Sequence, residues 1–313
     1  MSLAFVYPGQ GAQTLGMGRQ LADEYGAARH VFEEVDDALG EKLTDIIWGD
    51  DEAALTLTAN AQPALMATSM AAMAALNAEG VSVESASFVA GHSLGEYSAL
   101  CAAGALSLAD TARLLRIRGQ AMQAAVPVGQ GAMAALLGVD LATARTIARE
   151  ADKGQVLQPA NDNDPSQVVI SGARDAVERA VAIAKDHGAK RAVILPVSAP
   201  FHCRLMEPAA RRMAEALDDV DIHTPKVPVI VNVRAYGCTS RSDIRSYLVE
   251  QVTGMVRWRE SVMHMRENGV REVWEIGAGK ALSGMVKRVN RDMETRTVGT
   301  PDEVRAAAAS LGD

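Results

Sequence analysis

The segment Phe88-Val89-Ala90-Gly91-His92-Ser93-Leu94-Gly95-Glu96-Tyr97-Ser98-Ala99-Leu100 constrains this chain more than any other. A short apolar run enters a serine flanked by glycines, and an Ala/Leu-rich helical pattern leaves it. Strand, tight turn and helix in that order hold a hydroxyl at a crowded corner. Only glycine fits on either side there, and the backbone N–H groups that follow point at the same spot. Ser93 is therefore a nucleophile candidate. A serine between glycines in a loop is otherwise only a turn, and the flanking strand and helix are what separate the two readings.

The rest of the chain reads as strands alternating with long helical stretches, which favours an α/β core with parallel strands. Leu3 to Tyr7 is a buried strand running into the loop Pro8-Gly9-Gln10-Gly11-Ala12-Gln13. Helical patterns follow to Ala78, one opening at Pro63, whose missing N–H is harmless in a first turn. Ser87 to Ala90 is the second strand, and the segment after Glu96 reads as helical to about Met122. Pro127-Val128-Gly129-Gln130-Gly131 marks a crossing between domains.

Beyond that crossing come strand Ala132 to Val139, helix Leu141 to Asp152, strands Val156 to Ala160 and Gln167 to Ser171 around the turn Asn161–Pro165, helix Arg174 to His187, and strand Arg191 to Val197. The order β-α-β-β-α-β is the ferredoxin-like plan. It predicts a small ferredoxin-like domain, 128–197, inserted into a large domain made of 1–127 and 198–313. In the returning part, helix Leu205 to Leu217 precedes strand Val227 to Val233, and Val270 to Ile276 is a further strand. Gly277-Ala278-Gly279-Lys280-Ala281 lacks both the spacer and the hydroxyl residue of a phosphate loop, so a strand-ending turn is the better reading.

At 313 residues the chain can bury a large core, and 39 acidic against 31 basic side chains give a net charge of -8, which disfavours a nucleic-acid partner. Any anionic ligand must be met by locally placed arginines. No window offers the roughly 20 apolar residues of a membrane span. The start, Met1 to Pro8, reads as a strand and not as a signal peptide. Cys101, Cys203 and Cys238 lie far apart in unrelated contexts, which points to a reducing cytoplasmic setting. Neither H-E-x-x-H nor a close Cys/His cluster occurs, so no metal is expected.

A serine at its free pKa needs a base. Of the six histidines, His30 and His187 sit in polar helical surroundings, and His223 and His264 lack glycine or proline punctuation. His202 closes the stiff loop Pro196-Val197-Ser198-Ala199-Pro200-Phe201-His202 directly after a strand, as either the base or a partly buried loop histidine. His92 adjoins Ser93, but neighbouring side chains across a tight turn diverge, so local packing or hydrogen bonding is its expected role. Arg118 lies in an otherwise apolar helix. It is either half of a structural ion pair or a fork for a planar carboxylate, which lysine does not reproduce.

Five blocks occur in one order: Gly9-Gln10-Gly11-Ala12-Gln13, Gly91-His92-Ser93-Leu94-Gly95-Glu96, Arg116-Ile117-Arg118-Gly119, Ser198-Ala199-Pro200-Phe201-His202 and Glu250 through Trp258. In these the chain resembles the malonyl-CoA:acyl carrier protein transacylases over almost its whole length, and it is similar to acyltransferase domains of polyketide synthases. The resemblance implies a large α/β-hydrolase-like domain, a small ferredoxin-like one, and an active site between them. It implies Ser93 as the acylated nucleophile, His202 as its base and Arg118 on the malonyl carboxylate. Gln10 and Leu94 would supply the oxyanion-hole N–H groups, and the main-chain carbonyl of Gln251 would hold the histidine. Asn161 would lie near the thioester, and Phe201 beside His202 matches the form associated with malonyl selection.

The same resemblance implies malonyl-CoA, coenzyme A and holo acyl carrier protein as partners, no cofactor, and a monomer. Lys185, Lys190 and Arg191 are candidates for a basic patch that meets the acidic carrier. On the residues alone, a serine esterase or thioesterase and a non-catalytic carrier-binding domain remain the alternatives.

Overall fold

Apolar runs too short for helices become the strands at the centre of the molecule. The computed structural model describes residues 2–312. β1 (Ser2–Tyr7), β2 (Phe88–Gly91), β7 (Val229–Ile230), β8 (Gly237–Cys238), β9 (Val270–Ile276) and β10 (Glu294–Val298) form one sheet in the order β10-β9-β1-β2-β7-β8. Every pair in it is parallel except β7 with β8. β1 shows why both faces must be covered. Leu3, Phe5 and Tyr7 enter the main core with the helix Thr58–Ala78, whereas Ala4 and Val6 pack with Trp258 and Val262 on the opposite face. Strict alternation with both sets apolar is the signature of a strand buried on two sides.

β3 (Gly131–Leu137), β4 (Leu157–Asp164), β5 (Gln167–Ala173) and β6 (Arg191–Ile194) form a second, antiparallel sheet in the order β4-β5-β3-β6. Ala134, Leu136, Val168 and Ile170 pack with the helices Leu141–Asp152 and Arg174–Ile183, and Met133, Ala135 and Val169 belong to the main core. This sheet is clasped to the rest of the chain through β4. Val256 N–H donates to Ala160 O at 2.9 Å and Asp162 N–H to Val256 O at 2.9 Å. The buried carboxylates of Asp162 and Asp164 take Arg259 and Arg288 at 2.9 and 2.7 Å.

The structure differs from the sequence reading at several boundaries. The helix that follows Ser93 is two helices, Leu94–Ala102 and Leu108–Ala124. Gly104, at φ 74°, ends the first as its N–H bonds Cys101 O while Ala105 N–H bonds Leu100 O, and Ser107 caps the second. Asn161–Asp164 is strand, not turn, because Val256 supplies its outer backbone partners. The helix expected to open at Pro63 begins at Thr58. Proline leaves the carbonyl of Ala59 without its helical donor, and Arg116 Nη1 takes that place at 2.8 Å. Val227–Val233 pairs only at Val229–Ile230, since the backbone then leaves the sheet and carries Asn232 to Ser93.

Candidate active site

Ser93 sits on the turn between β2 and the helix Leu94–Ala102 with φ 54° and ψ -108°, a conformation few non-glycine residues hold. Packing leaves no alternative. A Cβ on Gly91 would lie 1.9 Å from Gly95 C, and one on Gly95 would lie 2.2 Å from Tyr7 O. Asn232 locks the turn: its Oδ1 accepts from Ser93 N–H at 2.8 Å while its Nδ2 donates to Gly91 O at 2.7 Å.

Ser93 Oγ lies 2.7 Å from Nε2 of His202. Nδ1 of that ring lies 2.8 Å from Gln251 O and 3.1 Å from Gly254 O. Carbonyls only accept, so the proton resides on Nδ1, and Nε2 is the bare acceptor that faces the serine. Among the described residues no carboxylate completes the arrangement. His202 is buried, and burial first, then the charge of Arg118, pushes its pKa down to about 3. The ring is therefore neutral and ready to take a proton.

Arg118 is 1% exposed, and its hydrogen-bond partners are all neutral. Nη1 donates to Gln62 Oε1 at 2.7 Å, and Nη2 to Gln251 Oε1 at 2.8 Å and to Ser93 Oγ at 3.1 Å. Nε has no partner, and the Tyr97 ring centroid lies 5.6 Å from the guanidinium carbon. A guanidinium buried beside a nucleophile with no carboxylate bonded to it is a costly arrangement unless something anionic arrives. Burial accordingly lowers its pKa.

A cavity of about 330 Å³ joins these groups, lined among others by Gln10, Ser93, Leu94, Arg118, Asn161, Phe201 and His202. The N–H groups of Gln10 and Leu94 donate to no backbone acceptor among the described residues. Gln251 does not line the cavity. It stands behind the serine, fully buried, where Nε2 donates to Ser93 O at 3.0 Å and to Glu96 Oε2 at 2.8 Å. His92 turns away from Ser93 and meets Asn163 Oδ1 at 2.9 Å. Lys185, Lys190 and Arg191 are exposed, and none lines the cavity.

The sequence reading missed Asn232, Gln62 and the part played by Glu96. Asn232 had a signal, a lone amide inside the apolar run Val229-Ile230-Val231-Asn232-Val233. Gln62 had no such signal, since its helix also carries Thr58, Asn60, Thr68, Ser69 and Asn77.

A parallel sheet that delivers a serine on a strained turn to a neutral histidine, with free backbone donors alongside, defines a serine acyl-transfer enzyme. The chain belongs to the acyl transferase domain family, which matches residues 4–304. It is 46% identical over 310 residues to the malonyl CoA-acyl carrier protein transacylase of Bacillus subtilis, covering 99% of this chain and 97% of that one. To the protein of that description from Escherichia coli it is 44% identical over 308 residues, 98% of each chain. Among solved structures, an acyl-carrier-protein-S-malonyltransferase from Bartonella henselae superposes with a TM-score of 0.98 at 55% identity over 100% of both chains. A malonyl-transacylase in complex with its type II PKS acyl-carrier protein superposes at 0.96, with 40% identity over 99% of this chain and 100% of that one.

Proposed function

We propose that this protein transfers the malonyl group of malonyl-CoA to the phosphopantetheine thiol of acyl carrier protein, through a malonyl ester on Ser93. The buried, carboxylate-free Arg118 next to Ser93 Oγ carries this reading. A hydrolase of neutral esters gains nothing from such a group, whereas the free carboxylate of a malonyl thioester supplies the missing anion through two parallel bonds.

In the first half-reaction Ser93 Oγ attacks the thioester carbonyl as its proton passes to Nε2 of His202. Oγ–C forms, C–S breaks, and the coenzyme A sulfur leaves with the proton from Nε2. Charge on the carbonyl oxygen falls to the N–H groups of Gln10 and Leu94, each such donor being worth roughly 3 to 4 kcal/mol in a serine hydrolase. The carrier thiol then runs the steps in reverse. Met122, Met133, Leu195, Val197 and Phe201 in the cavity wall limit the water that would otherwise hydrolyse the ester. Asn161, from β4, faces the same space and is assigned to the thioester.

The β-α-β-β-α-β order with strands β4-β5-β3-β6 supports a ferredoxin-like domain over 128–197, inserted into an α/β-hydrolase-like domain of 1–127 and 198–313. The relative solved with its carrier protein supports a transient carrier partner. No described helix is long and apolar enough to cross a membrane, and the three unpaired cysteines, Cys101, Cys203 and Cys238, support a reducing, cytoplasmic setting.

Mass spectrometry of the intact protein after mixing with malonyl-CoA tests the reading. A malonyl adduct that persists, maps to Ser93 and discharges onto holo carrier protein is expected. Rapid release of malonate without an adduct would make it a hydrolase.

A further inference from the structure

We propose that the hydroxyl of Thr58 is a positioning group, which couples the guanidinium of Arg118 to the loop that carries the Gln10 N–H. The inference rests on the reading of Arg118 and Gln10 just given. Arg118 Nη1 donates to Gln62 Oε1 at 2.7 Å, Gln62 Nε2 donates to Thr58 Oγ1 at 2.9 Å, and Thr58 Oγ1 donates to Gln10 Oε1 at 2.9 Å.

The direction of every bond in this chain is forced from one end. A guanidinium has only donors, so the Gln62 amide must turn its oxygen to Arg118 and its nitrogen to Thr58. Thr58 Oγ1 then accepts from Gln62, and its single proton goes to Gln10. Polarised in one sense, each bond strengthens the next.

Local packing explains why the contact exists. A Cβ at Gly119 would lie 2.6 Å from Ala59 Cα and 2.7 Å from Thr58 O, so the helix that bears Arg118 presses directly on the first turn of Thr58–Ala78. Thr58 itself is 1% exposed.

The far end matters because few hydrogen bonds hold it. Among the described residues, 8–13 make one hydrogen bond inside the loop, Gly11 N–H to Gln13 Oε1, and one to another element, that of Thr58 to Gln10. An oxyanion donor acts only when its direction is set before reaction. Thr58 sets it, and ties it to the charge state and position of the acyl-recognition group.

Thr58→Val keeps the shape and removes the bonds, and Thr58→Ser restores them. Single-turnover acylation of Ser93 is measured with malonyl-CoA and with p-nitrophenyl acetate, which carries no carboxylate. Thr58→Val is expected to slow the maximal rate with both about tenfold while the half-saturating malonyl-CoA concentration changes less than twofold, and Thr58→Ser to recover to within twofold of wild type. Thr58→Val combined with Gln62→Leu is expected to lose no more on the acetate than the more damaging single change. Maximal rates within twofold of wild type in Thr58→Val, losses that multiply in the double variant, or an equal loss in Thr58→Ser would overturn the proposal. If wild type forms no malonyl ester, the function proposed above fails, and the acetate arm still decides the role of Thr58.

Discussion

Gln251 holds His202 with its main chain and Arg118 with its side chain: the carbonyl oxygen lies 2.8 Å from Nδ1 of the ring, and Oε1 lies 2.8 Å from Nη2 of the guanidinium. One residue thereby fixes the imidazole of His202 and the guanidinium of Arg118 relative to each other. It also leaves the histidine without a carboxylate, so no negative charge offsets its burial.

The pH dependence of acylation should report that absence. Burial and the facing Arg118 charge hold His202 at about 3 against an ordinary 6.5, so the neutral base persists as pH falls through the usual histidine range. With p-nitrophenyl acetate, which does not titrate, the acylation rate of wild type should stay nearly level from pH 8 to pH 5 and drop only at lower pH. Arg118→Ala removes a like charge, so its acid limb should move to higher pH. A half-maximal rate near 6.5 in wild type would contradict the neutral, desolvated ring.

Donor selectivity should follow Arg118. In Arg118→Ala, transfer from malonyl-CoA is expected to fall by about 10²- to 10³-fold, the loss typical of a buried charge-assisted pair, while transfer from acetyl-CoA changes by less than about tenfold. Arg118→Lys should recover little, because an ammonium cannot supply the two parallel bonds. Steady-state transfer to holo carrier protein from both donors checks this, and equal losses on the two would remove Arg118 from acyl recognition.

Gly95 is a steric requirement of the turn. Gly95→Ala drives a methyl group to 2.2 Å from the Tyr7 carbonyl, backbone that cannot swing aside. A cost of about 1–3 kcal/mol or more is expected, together with loss of Ser93 labelling by an active-site phosphonate. Urea unfolding and the labelling rate measure the two effects separately. A variant with wild-type stability and labelling would mean that the turn is looser than its packing indicates.

How far the site was legible follows from which contacts are local. β1 and β2 are short apolar runs whose burial decides their structure, β9 keeps Val270, Val273, Trp274 and Ile276 buried around charged residues, and the serine turn announces itself because its glycines are close in sequence. Val229–Ile230 was readable only as part of a longer run. Its end is decided by Asn232, whose partners Gly91 and Ser93 lie 141 and 139 residues away. β10, Glu294–Val298, is polar up to its last residue and has no apolar run, and its strand character comes from the register with β9. Gln62, Thr58 and Glu96 are ordinary helix residues by pattern. Their roles come from what two other helices and a loop press against them, which no local periodicity encodes.

Glu96 offers the last test, since it is a buried acid that serves the site without facing it. Its Oε2 accepts from Asn232 N–H at 3.0 Å and from Gln251 Nε2 at 2.8 Å, whereas Oε1 has no partner. Burial raises its pKa from 4.5 to about 7, against the smaller opposing pull of Gln251, Asn232 and Arg118. The native state thus keeps a proton that the unfolded chain releases at 4.5, so this group's stabilisation is complete below 4.5 and is lost as pH rises through about 7. Glu96→Gln cannot titrate and keeps a carbonyl acceptor for both donors. Relative to wild type, its unfolding free energy should therefore improve between pH 4.5 and pH 8 by an amount on the order of 3 kcal/mol. Urea unfolding of both proteins across that range gives the difference directly, and parallel curves would mean that Glu96 is already ionised in the folded protein.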